Sequence, residues 1–254
     1  MAERITSRQN PLCGHIRKLN SARSYRRKAG EFVAEGPKLL SEALAHGGAI
    51  HTLVYREGWT PPADLPEGMR LAEVPADLLA HLSDTEAPQG VLAVCALPGL
   101  TPPAELPPGR YLVLDGVQDP GNVGTVWRTA DAFGADGLIL LPGCADPYGP
   151  KTVRATMGAC FRLPVWEVEP AALPGLLGDI PLYATALGEN DGDVREAGLT
   201  RAAVVIGSEG RGVSQEVLAL CARTLKIPMR SRCESLNAAV AASVVLWEGW
   251  RTCP

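Results

Sequence analysis

The stretch VVIGSEGRGVSQEVLALCARTLKIPMRSRCESLNAA, Val204 to Ala239, decides how this chain is read. The run AAVVIG that leads into it is apolar and rich in β-branched residues, which favours a buried strand. The strand ends in Gly207-Ser-Glu-Gly-Arg-Gly212, a loop whose bare backbone suits the close approach of a flat ligand. A helix is expected from Ser214 to Cys221, a second strand over TLKIPM at 224 to 229, and a last helix from Leu236 to Arg251. Alone, the loop is a weak signal. Its order is GxxGxG instead of the dinucleotide GxGxxG, it comes late in the sheet, and a plain tight turn reads equally well.

Moving outward, the chain from Arg110 onward alternates strand and helix patterns. Strands are expected over YLVLDGV, GLILL, PVWEV, PLYATAL and AAVVIG. Helices are expected over Val123 to Phe133, Lys151 to Cys160 and Pro170 to Leu177. Such alternation predicts a mostly parallel sheet covered on both faces, with ligands at the carboxyl ends of its strands. The loop from Asp115 to Arg128 is one of these ends. Asn122 is placed as a helix N-cap, with Gly121 and Gly124 allowing close packing. Arg128 lies six residues further on, about 9 Å along a helix, within reach of the same mouth; a surface pair with Asp131 is the competing reading. The loop from Gly143 to Thr152 imitates a phosphate-binding loop, but Pro150 offers no N–H and the spacing is wrong. Lys151 and Arg154 fit either nucleic-acid phosphates or a solvated face.

Upstream, EFVAEGPKLLSEALAHGGAIHTLVY reads strand, helix, turn, strand, followed by a helix over Pro75 to Leu82 and a strand over Gly90 to Ala96. This is a small α/β domain, residues 1–97. The segment PGLTPPAELPPG at 98–109 carries five prolines and reads as a stiff linker to the second domain, residues 110–254. Residues 1 to 30 hold Arg4, Arg8, Arg17, Lys18, Arg23, Arg26, Arg27 and Lys28 against Glu3 alone, in a chain of net charge -4. A basic N-terminal arm of this kind suits a polyanionic partner. The seven cysteines are widely spaced, with no CxxC pair, as expected of reduced thiols in a cytoplasmic protein. The N-terminus lacks a hydrophobic signal core, and no apolar run is long enough for a membrane span. All four histidines lie before residue 82 and read as surface or satisfied imidazoles. The second domain therefore offers neither a Ser/His/Asp triad nor a His-ligated metal.

Three motifs stand in order in the second domain: NVGTVWR at 122–128, IGSEGRGVS at 206–214, and IPM at 227–229 followed by ESLNAAVAAS at 234–243. Together they resemble the SpoU/TrmH family of the SPOUT superfamily, S-adenosylmethionine-dependent RNA ribose 2'-O-methyltransferases. SRQNP at 7–11 and EFVAEGPKLLSEAL at 31–44 resemble that family's substrate-binding domain, so the likeness covers nearly the whole chain. The resemblance implies an α/β fold with a C-terminal SPOUT domain of mostly parallel sheet and a trefoil knot, preceded by a small RNA-binding domain. It also implies a homodimer through the methyltransferase domain, with the active site close to the interface. By the same likeness Gly207, Ile227 and Leu236 hold the cofactor, and Asn122, Arg128, Glu209, Ser235 and Asn237 form the polar set around the reacting centre. Arg128 is often given the base role in this family. Because an arginine does not give up its proton in a protein, a fixed cation is the physically simpler reading.

The expected partner is RNA, with 23S ribosomal RNA favoured by the separate N-terminal domain and transfer RNA as the alternative. A non-catalytic RNA-binding protein of the same fold and a nicotinamide-dependent enzyme are the competing classes. The first strand-helix turn, GVQDPGNVG, lacks the dinucleotide fingerprint.

Overall fold

The computed structural model describes residues 2–186, 192–230 and 235–251. The chain divides into two compact units, Met1–Pro98 with Tyr148–Phe161, and Gly99–Pro147 with Arg162–Pro254.

The first unit contains β1 (Glu3–Arg4), α1 (Pro11–Ser21), α2 (Arg23–Ala29), β2 (Glu31–Glu35), α3 (Pro37–Ala45), β3 (Ile50–Arg56), β4 (Arg70–Val74), α4 (Ala76–Leu82) and β5 (Val91–Ala96). Its sheet has the order β1-β4-β3-β5-β2. Strands β1, β4 and β3 run parallel, while β5 pairs antiparallel with both β3 and β2. Strand β4 escapes the sequence reading because only Ala72 and Val74 of its five residues are buried, too short an alternation to stand out. Glu31 accepts from two imidazoles, His15 Nε2 at 2.7 Å and His51 Nδ1 at 2.6 Å, and His15 Nδ1 meets the Tyr25 hydroxyl at 2.9 Å. These two histidines are structural, as expected.

The basic N-terminal arm requires correction. Helix α1 is capped by the Asn10 side chain and buries Leu12, Cys13, Ile16 and Leu19 in the core of the unit. Each large apolar side chain so buried contributes about 1.5–3 kcal/mol, so the segment is part of the fold and not an appendage. Several of its cations are engaged within the unit, Lys18 among them, 5.5 Å over the Tyr25 ring. Arg26 is 5% exposed and donates to the Leu19 carbonyl, Arg4 pairs with Glu57 at 2.7 Å, and Arg8 lies 3.7 Å from Asp77. Arg17, Lys18, Arg23, Arg27 and Lys28 are exposed.

The second unit follows the expected alternation, with α6 as an excursion into the first unit. In order come β6 (Arg110–Asp115), α5 (Pro120–Ala132), β7 (Gly137–Leu140), α6 (Pro150–Thr156), β8 (Val165–Glu167), α7 (Leu173–Leu177), β9 (Leu182–Thr185), β10 (Gly192–Asp193), β11 (Ala202–Gly207), α8 (Gln215–Leu218), β12 (Arg223–Lys226) and α9 (Ala238–Arg251). The strands lie in the order β10-β12-β9-β11-β6-β7-β8, with parallel pairing throughout. Strand β11 is central and buried from Ala202 to Ile206, as a strand covered on both faces must be. On α9, Ala238, Ala239, Ala242, Val245, Leu246 and Gly249 form the buried stripe, and the helix packs against α5 and β11. The knot is expected in the chain after the glycine-rich loop, of which residues 231–234 lie outside the described residues.

Several boundaries are corrected. The helix expected to reach Cys160 stops at Thr156, where Met157 turns left-handed at φ 51° and a short 3-10 turn follows at Ala159–Phe161. This segment packs with the first unit: Phe32 lies 4.8 Å from the Tyr148 ring and 6.0 Å from that of Phe161. Arg154 binds Asp84 at 3.0 Å, so its charge is held by the fold and is not offered to a phosphate. The segment read as a linker, 98–109, belongs to the second unit from Gly99 onward. Leu106 is buried and its N–H donates to the Leu176 carbonyl at 2.8 Å, while Leu100 accepts from Glu167 N at 2.9 Å.

Candidate active site

The carboxyl ends of β9, β11 and β12 open into a cavity of about 420 Å³. That is within the roughly 300–1,000 Å³ of a typical small-molecule cleft. Its apolar wall includes Ile206, Leu218, Leu225, Ile227 and Leu236; its polar lining includes Thr185, Ser208, Glu209, Gln215 and Ser235. The three residues assigned to the cofactor from the sequence, Gly207, Ile227 and Leu236, all line this one cavity.

The glycine-rich loop is a closed hairpin. Ser208 and Gly212 exchange two backbone hydrogen bonds, at 3.2 and 2.9 Å, and Gly212 takes the left-handed conformation at φ +66°. Closure brings the backbone back onto Gly207. A Cβ there would lie 2.1 Å from the Gly212 carbonyl carbon and 2.3 Å from Val213 N, so no other residue fits. The far end of the hairpin is anchored by Asp115, the last residue of β6, whose Oδ2 accepts from Ser214 N at 2.7 Å. This anchoring role of Asp115 was missed by the sequence reading, although an acid at the end of a buried strand, YLVLD, was a visible signal.

Asn122 was expected to cap α5. The cap is Asp119 instead, whose side chain accepts from Asn122 N at 2.8 Å, with Pro120 in the first helical position. That correction leaves the Asn122 amide for other work. Its Nδ2 donates to Glu209 Oε1, and its Oδ1 accepts from Asn237 Nδ2 at 3.2 Å. Asn237 in turn caps α9, with Oδ1 accepting from Ala239 N at 2.9 Å and Val240 N at 3.3 Å. The direction of this chain is set from both ends. The cap requires the Asn237 oxygen, which leaves its NH₂ for Asn122, and the Glu209 carboxylate accepts the other amide. Residues 115 positions apart are thus tied into one polar line that reaches the cavity wall through Glu209, while Asn122 and Asn237 do not themselves line the cavity.

Asn237→Asp separates the two duties of that residue. The carboxylate retains the cap but cannot donate to Asn122, so thermal stability should hold while the activity expected from the motifs falls tenfold or more. Asn237→Ala should additionally lose about 1 kcal/mol of stability. Full turnover in Asn237→Asp would remove the polar line from the chemistry.

Arg128 sits on α5, exposed, and among the described residues its side chain has no hydrogen-bond or ion-pair partner. The competing pair with Asp131 is not made, because Asp131 binds Arg162 at 2.7 Å. Nor is Arg128 among the residues lining the cavity. The described residues contain no cluster of His, Cys, Asp and Glu suited to a metal. Burial pushes the Cys144 and Cys221 thiols up to about 11, which removes them as nucleophiles near neutrality.

With this geometry in place, the chain proves similar to known proteins along nearly its full length. Residues 109–247 match the model of the SpoU rRNA methylase family, and residues 10–93 match that of the MRM3-like substrate-binding domain. The chain belongs to the SpoU rRNA methylase family. Its relatives include the 23S rRNA (guanosine(2553)-2'-O)-methyltransferase RlmP of Bacillus subtilis, 33% identical over 248 residues, which cover 96% of this chain and 98% of that protein. The AdoMet-bound rRNA methyltransferase from Sinorhizobium meliloti superimposes with a TM-score of 0.86 at 31% identity over 98% of both chains. The SpoU methyltransferase AviRb from Streptomyces viridochromogenes, in complex with AdoMet, gives 0.82 at 32% identity, covering 96% of this chain and 98% of that one. SpoU membership accounts for the joint appearance of the three motifs, which the fold gathers from α5, β11 and the start of α9.

Proposed function

We propose that this SpoU protein transfers a methyl group from S-adenosylmethionine to a ribose 2'-hydroxyl of structured RNA, with 23S ribosomal RNA as the target. The observation that carries the reading is the junction of the Gly207 cavity with the Glu209–Asn122–Asn237 line. The residues present fit the cofactor. Gly207 leaves bare backbone, Ile227 and Leu236 give apolar contact for a flat base, and the 420 Å³ cavity matches a ligand of that class. When bound, the cofactor supplies an electrophilic methyl group.

The chain's own residues position and activate the hydroxyl. Glu209, held through one oxygen by Asn122, keeps a carboxylate at the cavity wall to accept from the ribose. Asn122 and Asn237 fix that carboxylate in place, so little reorganisation is needed in the transition state. Ser235 adds a hydroxyl on the same wall. Arg128 provides a fixed cation for the developing alkoxide and an adjacent phosphate. RlmP, similar along nearly its whole length, is named for 23S rRNA, and this supports the same target class here. Mass spectrometry of ribosomal and transfer RNA nucleosides, with and without the gene, tests the proposal. Loss of one 2'-O-methyl signal from 23S rRNA is expected. Loss from transfer RNA would move the target, and no loss in either pool would sink the enzyme reading.

RNA contact is assigned to the exposed face of α1 and α2. Replacing Arg17, Lys18, Arg27 and Lys28 together by Gln should weaken RNA binding and flatten its salt dependence, by up to about 0.7–0.9 in log–log slope for each phosphate no longer neutralised, with cofactor affinity unchanged. Deleting residues 1 to 30 is the wrong experiment, because it removes core as well as charge. An unchanged slope in the substituted protein would make those residues a solvated face.

The homodimer and the trefoil knot are part of the same proposal. Trp247 and Trp250 on α9 are 49% and 46% exposed, stacked 5.5 Å apart, and flanked by Phe133 after α5. Aromatic exposure on this scale supports an interface with a second copy. Trp247→Glu with Trp250→Glu should convert the protein to monomer in sedimentation velocity; an unchanged sedimentation coefficient in a species already dimeric would place the interface elsewhere. No helix among the described residues is long and apolar enough to cross a membrane. The seven cysteines are widely spaced with no CxxC pair, and on that ground the cytoplasm is the proposed location.

A further inference from the structure

Arg211 is the cationic side chain that the described residues place on the cavity wall. Its backbone is fixed, since Arg211 N donates to Ser208 Oγ at 3.3 Å inside the hairpin closed by Ser208 and Gly212. Its side chain is exposed and has no hydrogen-bond or ion-pair partner among the described residues.

The unit holds more Asp and Glu than Lys and Arg, and several of its arginines are engaged; Arg128 shares the isolation but does not line the cavity. Arg162 is paired with Asp131, Arg195 with Asp193, and Arg251 with Glu248, while Arg110 and Arg223 donate to the carbonyls of Gly134 and Ala197. The carboxylate nearest in sequence, Glu209, is engaged by Asn122. The polar groups that share the cavity wall, Thr185, Ser208, Gln215 and Ser235, carry no charge, and Glu209 would repel an anion. Any anionic group entering the cavity therefore has one charged partner on that wall.

We propose that Arg211 is a binding residue of the methyl-transfer site whose guanidinium takes an anionic oxygen group. That group is either the amino-acid carboxylate of the methyl donor or a phosphate flanking the target ribose. The planar fork of a guanidinium matches both geometries in bidentate fashion. The inference rests on the methyl-transfer reading above and adds a second cation to it. It also puts this cation on the same hairpin that forms part of the cavity wall.

The test uses the full chain and Arg211→Gln, with three probes. These are S-adenosylhomocysteine, 5'-methylthioadenosine, which lacks the amino-acid end, and a 23S rRNA transcript. Thermal melting should match the unsubstituted protein, since the side chain is exposed. If the carboxylate is the ligand, S-adenosylhomocysteine binding weakens roughly tenfold in calorimetry while 5'-methylthioadenosine is unaffected. If a phosphate is the ligand, both small molecules bind as before, RNA affinity falls, and its salt slope drops by about 0.7–0.9. Arg211→Lys should restore part of whichever binding is lost, as a point charge without the fork. All three affinities within twofold of the unsubstituted protein would overturn the assignment. Failure of the unsubstituted protein to bind S-adenosylhomocysteine would instead strike the methyl-transfer reading itself.

Discussion

Gly207→Ala is expected to abolish S-adenosylhomocysteine binding, with a loss of at least a hundredfold by calorimetry. The added methyl group would stand 2.1–2.3 Å from three backbone atoms of Gly212 and Val213. Backbone cannot rotate away as a flexible side chain can, so the hairpin must open. Opening breaks the Ser208–Gly212 pairing and displaces Val213, whose buried side chain holds the loop to the core. Overpacking of this kind costs about 1–3 kcal/mol, which a unit of this size tolerates, so circular dichroism should still report a folded protein. The cavity, however, loses the wall that Gly207 and Ser208 form. Gly210→Ala is the control, because a Cβ at Gly210 meets nothing within 4 Å. Affinity within threefold in Gly207→Ala would mean that the hairpin does not shape the cofactor site.

Arg128→Ala should lower kcat by about 10²–10³ while leaving cofactor affinity unchanged. The rate effect is that expected on removing one preorganised charge from a developing oxyanion. Unchanged affinity follows because Arg128 is not a wall of the cavity. Arg128→Lys separates the two roles considered for this residue. A fixed cation predicts partial activity with the pH profile unshifted, since the charge survives and only the fork is lost. Full rate with an alkaline-shifted profile would identify a titrating base at this position and defeat the fixed-cation mechanism.

Much of the second unit was legible because its signals are local. A strand buried on both faces must be continuously apolar, and β6, β7 and β11 are. The hairpin glycines mark a place where a side chain has no room, and the structure gives the reason at Gly207. The cap of α5 was misplaced by three residues because Asp119 and Asn122 are both good caps and only the backbone chooses between them. Strand β4 and the attachment of residues 148–161 to the first unit were not legible, since they depend on pairings with partners tens of residues away.

Charge counts misled most at the N-terminus. Eight cations in thirty residues suggested an arm, but the same residues include Ile16 and Leu19, both fully buried. Arg26 was counted as surface charge and is instead a buried donor to a main-chain carbonyl. Helical periodicity within the basic run carried the needed signal, with Leu12, Ile16 and Leu19 on one face.

By itself the sequence determined that this is an α/β chain of two parts, that the second part carries a parallel sheet with a ligand end, and which residue types stand ready there. Those properties follow from hydrophobic period, from glycine where no Cβ fits, and from motif order, all of which are written along the chain. Only the tertiary structure decided which polar groups meet. The line from Glu209 through Asn122 to Asn237 joins a hairpin, the first turn of α5 and the cap of α9. Its direction is dictated by a cap at one end and a carboxylate at the other. Equally, only the fold distinguishes Arg211, without a partner among the described residues of the cavity wall, from the arginines spent on neighbours. Hydrogen bonds are satisfied in space and not in sequence order, so partnership is the last thing a chain discloses before it folds.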